Sequence, residues 1–119
     1  MWLADLLKKY RLGQKQQDSI AEKLQSLAES FDGVNDIRRA QGYFRVSAEW
    51  YKVIQNQEKC SEVTVAYAQT WVKEAEQQES QLVASSFFEK AIQILRSIPR
   101  LQRDMHNVDE LIMESDSVR

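Results

Sequence analysis

Apolar residues in this chain recur at the three- and four-residue steps of an α-helix, and nowhere do they alternate with period two for long enough to make a strand. Ile20, Leu24, Leu27, Ala28 and Phe31 form one stripe. Ile37, Ala40, Phe44, Ser47, Ala48 and Tyr51 form another, and Leu82, Val83, Phe87, Phe88, Ala91, Ile92, Ile94 and Leu95 a third. Three glycines and one proline among 119 residues leave few places to break such helices. The breaks fall at Gly13, at Asp-Gly-Val-Asn-Asp (32–36), at Gln-Asn-Gln-Glu (55–58), at Gln-Gln-Glu-Ser (77–80) and at Pro99.

These signals predict an all-α chain of five or six helices. Trp2, Leu3, Leu6, Leu7 and Tyr10 carry the first, which should stop at Gly13. Ser19 with Glu22 has the form of a capping box, unless the second helix already starts in Gln-Lys-Gln-Gln (14–17). Asn35 or Asp36 can cap the next helix. Gly42 lies inside it, where it marks a close approach of a neighbouring helix. A long helix is expected over 58–78. The helix capped by Ser80 is the most apolar and should be the most buried. Pro99 ends it or opens the last helix, whose stripe of Leu101, Met105, Val108, Leu111 and Ile112 runs to about Glu114.

The length suits one domain with a core of its own. Net charge is -2, with 16 basic and 18 acidic side chains, so no global charge drives the chain towards nucleic acid or anionic lipid. No apolar run is long enough to span a membrane, and the start does not read as a secretory signal. A lone Cys60 excludes an internal disulfide framework and fits a reducing, cytoplasmic setting.

Ala84, Phe88 and Ala91 sit at offsets 0, 4 and 7, as do Ala40, Phe44 and Ser47. Small residues let two backbones approach, and the ring fills the space beside them. This is the pattern of the second helix of a tetratricopeptide hairpin. Leu24, Leu27, Ala28 and Phe31 supply a first-helix pattern at offsets 0, 3, 4 and 7, so residues 19–54 resemble one such hairpin. The second copy departs from the family. It lies 44 residues on (Ala40 to Ala84), against a standard repeat of about 34, and the helix around Trp71 fits the first-helix pattern badly. Two architectures stay open: a tetratricopeptide-like stack of antiparallel hairpins, or a bundle of five to six helices.

Leu-Leu-Lys-Lys-Tyr-Arg-Leu-Gly (6–13), Ala-Glu-Trp-Tyr-Lys-Val-Ile-Gln-Asn (48–56), Trp-Val-Lys-Glu-Ala-Glu (71–76) and the stretch over 83–112 carry a second resemblance. They are similar to the helical region that precedes a domain of unknown function in large uncharacterised bacterial proteins. In that group the downstream domain carries an Arg-Asn-x3-His motif like that of HEPN-class ribonucleases. The resemblance implies that residues 1–119 are a single helical segment of a longer protein. The motif is absent from this chain, so it assigns no catalytic residue here.

The residues themselves offer little chemistry. His106 is the one histidine, and Arg100 and Arg103 stand at the wrong spacing from it for a HEPN-type pair. Cys60 has no Cys-x2-Cys partner and no nearby base. No phosphate-binding glycine loop is present. Glu49 and Glu74 lie among aromatics, where a buried carboxylate would be shifted in pKa or paired with an arginine such as Arg38 or Arg45.

The expectation is therefore a non-enzymatic interaction or scaffold domain with no cofactor and no metal. Its partner would be a protein, a peptide or its own downstream domain, without a membrane. In a hairpin stack the first helices line the concave face, which places Lys23, Gln25, Ser26, Glu29, Gln69, Lys73 and Gln77 there. Trp2, Trp50 and Tyr43 would anchor a partner if the core leaves them exposed. Trp2 and Leu6 would also serve a homodimer. The alternative is a nucleic-acid-associated accessory module using Lys8, Lys9, Arg11, Arg96, Arg100 and Arg103 as a phosphate-binding patch.

Overall fold

The computed structural model describes residues 13–105 and 107–117. Within them the chain is all-α, with no strand. It forms six helices: α1 (Gln14–Gly33), α2 (Ile37–Val53), α3 (Gln57–Glu76), α4 (Gln81–Arg96), α5 (Arg100–Met105) and α6 (Val108–Ser117). The first four helices each pack on the next, α6 folds back onto α4, and the short α5 rests on α3 and α6.

Helix starts follow the capping chemistry. Asp36, Asn56 and Ser80 accept the backbone N–H groups of Arg39, Lys59 and Val83. At α1 the helix begins in the glutamine stretch: Gly13 N–H donates to Gln16 Oε1 at 3.0 Å, so Ser19 is not a cap. The turns after α1 and α2 share one device. Asn35 (φ 63°) and Gln55 (φ 65°) take the left-handed conformation. The next N–H then reaches back five residues, Asp36 to the Phe31 carbonyl and Asn56 to that of Tyr51. The left-handed residue is thus Asn35, and Gly33 remains helical.

Packing rests on small residues two turns apart. Ala21 and Ala28 on α1, Ala40 and Ser47 on α2, Ser61, Ala68 and Ala75 on α3, and Ala91 on α4 are all buried. A seven-residue step drifts only about 20° around a helix, so each set stays on one face. Phe44 and Phe88 are 3% and 6% exposed beside them. Ser47 Oγ donates to the Ala21 carbonyl at 3.1 Å, satisfying a buried hydroxyl while α1 and α2 approach. Turns between the first four helices are short, so the 44-residue offset between Ala40 and Ala84 is absorbed by helix length: α2 has 17 residues and α3 has 20.

Four expectations are corrected. Gly42 is exposed, and a Cβ there would meet nothing within 4 Å, so no helix approaches it. The start of α4 is not buried: Leu82 is 82% exposed and Val83 is exposed too. That first turn lies beyond the cluster of Ala68, Leu95, Ile98 and Val108, which gathers at the opposite end of α4. Leu27, at the edge of its stripe, is 44% exposed. The final stripe is not one helix, since α5 stops at Met105 and α6 begins at Val108 after Asn107 (φ 54°).

Candidate functional site

Two faces of α3 are available to a partner. One is the face that α3 shares with α1. There Lys73 Nζ pairs with Asp32 Oδ1 at 2.7 Å, and Gln77 Nε2 donates to Asn35 Oδ1 at 3.4 Å, so the C-terminal ends of α1 and α3 lie side by side. Gln25 is engaged as well, accepting from Tyr51 Oη at 3.0 Å and donating to Glu29 Oε1 at 3.1 Å. Lys23, Ser26 and Gln69 are exposed. Three of the seven residues expected on the concave face therefore knit helices together or fasten a ring. Gln69 and Lys73 also border a recess of about 570 Å³ between α3, α4 and α6.

The other face carries the larger opening. Here α2 and α4 stand apart over α3 and leave a cleft of about 760 Å³, within the size range of ligand-binding clefts. Cys60, Thr64 and Tyr67 form its floor, Arg45, Ala48 and Lys52 one wall, and Ile94, Ile98 and Pro99 the other. The floor continues beyond the cleft by helical spacing. Cys60, Thr64, Tyr67 and Trp71 stand at offsets 0, 4, 7 and 11 on α3, and all four are half-buried. A row of rings follows that line: Tyr67 meets Trp71 edge-on at 6.5 Å, and Trp71 meets Phe87 of α4 at 5.5 Å. The indole Nε1 of Trp71 is buried without a hydrogen-bond partner, an arrangement that costs about 1–3 kcal/mol.

Charge is distributed unevenly along this groove. Arg38, Arg45 and Lys52 are exposed and stand at a seven-residue step on α2. Arg38 reaches across to Glu74 of α3 at 3.7 Å, which places it on the groove side. Glu74 is mostly buried and also accepts from Gln41 Nε2 at 2.7 Å, so its pairing with Arg38 is the ordinary outcome for a buried glutamate. Arg45 and Lys52 make no ion pair among the described residues, and half-buried Glu49 makes none either.

Burial pushes the Cys60 thiol up from its ordinary value, against smaller opposing effects from Thr64 and the Lys52 ammonium. A thiol held in its protonated form is a poor nucleophile. Among the described residues no group of three potential metal ligands is found, and no helix is long and apolar enough to cross a membrane.

The remaining candidates divide. Trp50 is buried, and Tyr43 is half-buried with its ring stacked on Phe31 at 5.5 Å, so neither is an exposed anchor. Of the phosphate-binding set, Arg96 and Arg100 are exposed. Arg103 instead turns inward: its Nε donates to the Ile98 carbonyl at 2.7 Å and its Nη2 to the Arg96 carbonyl, capping the end of α4. Lys8, Lys9, Arg11, Trp2, Leu6 and His106 lie outside the described residues. Sequence reasoning missed the α2–α4 groove. The steps linking Tyr67 to Trp71 and Arg45 to Lys52 were readable, but only the splay of α2 and α4 makes them one surface. No protein-family model, curated protein or solved structure matches the chain.

Proposed function

We propose that this domain is a non-catalytic interaction module that holds a segment of a partner protein in the groove between α2 and α4. The observation that carries the reading is the open cleft between α2 and α4, floored by half-buried Cys60, Thr64 and Tyr67, with the rings of Trp71 and Phe87 continuing from Tyr67. Aromatic side chains that are neither sealed in the core nor fully wet make effective anchors for a partner. A tetratricopeptide-like stack belongs to the same reading, and its support is the side-by-side placement of the C-terminal ends of α1 and α3 with α2 packed against both. The resemblance to a helical segment of large bacterial proteins would make a neighbouring domain of the same cytoplasmic chain one such partner.

A display library of random helical peptides, selected on the domain, tests the reading. Selected peptides should lose binding to Thr64→Trp and Ser97→Trp, two variants that fill the cleft from its floor and from its α4 wall. Circular dichroism confirms that each variant is folded. Peptides that bind the filled variants as tightly as the parent would place binding elsewhere and overturn the reading, as would a selection that yields no binder.

A further inference from the structure

The groove has a sign as well as a shape, and this follows from α2 alone. A step of seven residues advances about 10 Å along a helix while staying on nearly the same line. Arg38, Arg45 and Lys52 therefore form a row spanning about 20 Å on one edge of the groove. Arg45 and Lys52 line the cleft itself. Across the groove, Phe87 and Ile94 on α4 repeat the seven-residue step, with exposed Lys90 between them. The opposing acid charge is limited. Glu74 is engaged by Gln41 and Arg38, which leaves Glu49 as the carboxylate of the cleft wall.

Resting on the interaction reading above, we infer that the occupant of the α2–α4 groove is an acidic amphipathic helix of a partner protein. Its apolar stripe would lie on Tyr67, Trp71, Phe87 and Ile94, and its carboxylates would face Arg45 and Lys52, one seven-residue step apart, with Arg38 already paired to Glu74. Two helices with matched repeats keep their edges together over several turns, and charges at such an edge select the partner and its register. A free nucleic acid strand matches this surface less well. Its charges repeat along one continuous backbone, whereas here cations edge an apolar strip and Arg103, in the other basic group, is committed to capping α4.

Two dye-labelled synthetic peptides of 21 residues decide the matter. They share one apolar stripe and differ only at the edge, one carrying Glu and the other Lys. Fluorescence anisotropy should show the Glu peptide binding at least about tenfold more tightly, with affinity falling as salt rises. Arg45→Glu combined with Lys52→Glu should reverse that order, because both side chains are exposed and their exchange leaves the core untouched. Thr64→Trp should abolish binding of the Glu peptide.

Equal affinity for the two peptides, or no change in preference with the double variant, overturns the acidic partner. So does stronger binding of a single-stranded RNA oligonucleotide or of vesicles containing anionic lipid, competed against the Glu peptide. If neither designed peptide binds while library-selected peptides of neutral edge do, the acidic partner fails and the groove reading stands. If the library also yields nothing, both fail.

Discussion

Around Phe44 the chain closes on itself with rings and side-chain hydrogen bonds, while around Leu95 it closes with aliphatic side chains. The first cluster joins Ala21, Ala28, Ala40, Phe44, Trp50, Tyr51 and Val63. It is braced by the Phe31–Tyr43 stack, by Arg39 over the Phe31 ring at 5.6 Å, and by the bonds from Ser47 and Tyr51 to α1. The second cluster joins Ala68, Leu95, Ile98 and Val108, with Val65, Ile94, Leu111 and Ile112 against it. Its helices leave Leu82, Leu101 and Met113 exposed. Shape in the first half is set by groups with direction, and in the second by area removed from water, which has none. The groove runs from one to the other, since Ala48 and Cys60 pack against the first cluster and Ile98 belongs to the second.

Phe44→Ala breaks the comparison most sharply. The ring is buried between small residues that cannot spread to refill its space, so about 3–5 kcal/mol of stability should be lost. Urea unfolding followed by far-ultraviolet circular dichroism measures it. Phe88→Ala, at the corresponding place on α4, should lose somewhat less, since that ring is 6% exposed against 3% for Phe44. Equal losses would mean that the two halves resist a cavity alike.

Small-to-large substitution sharpens the same contrast from the other side. Ala28 is fully buried on α1, and Ala28→Leu should cost about 1–3 kcal/mol by forcing apart the face where α1 meets its neighbours. Ala84 is only half-buried near the open start of α4, and Ala84→Leu should cost under about 1 kcal/mol. Thermal unfolding of the pair decides it, and a larger loss at Ala84 would contradict the tight packing assigned to the first half.

Much of the first half was legible because its signals are local. Asp36 as cap, the breaks on either side of α2, and Ala40, Phe44 and Ser47 on one buried face all follow from spacing within some twenty residues. In the second half the deciding facts are not local. Searching α3 for a large, leucine, small, aromatic pattern missed its own small residues, Ser61, Ala68 and Ala75, which stand one heptad apart. The exposure of Leu82 depends on where α6 sits, and the hydropathy of α4 alone says nothing of that. The turn at Asn107 interrupts an apolar period that otherwise runs unbroken. The candidate site was least legible, since a groove belongs to three helices and its charge row becomes an edge only when α4 stands off from α2.

The smallest expected effect is titration, and it also separates the halves. Tyr51 sits in the first cluster, and burial raises its phenol above the ordinary value, helped by Glu22, Glu62, Asp18 and Glu29. Cys60 packs against the same cluster and is raised by burial. For either group the folded state holds its proton more tightly than the unfolded chain. Stability from this source is full at neutral pH and falls as pH rises past the free thiol range of about 8.5 and the free phenol range of about 10, because only the unfolded chain then gains from losing the proton. Tyr51→Phe removes the phenol and its bond to Gln25, a loss of about 0.5–1.5 kcal/mol at pH 7. The same variant should lose less further stability than the parent between pH 8 and pH 10.5 in urea titrations. Amide exchange in α1 and α2 should accelerate over that interval before exchange in α4 does, since both titrating groups sit against the first cluster. Identical alkaline slopes for parent and variant would show that Tyr51 does not hold its proton for the fold, and would leave Cys60→Ala as the substitution expected to flatten the slope.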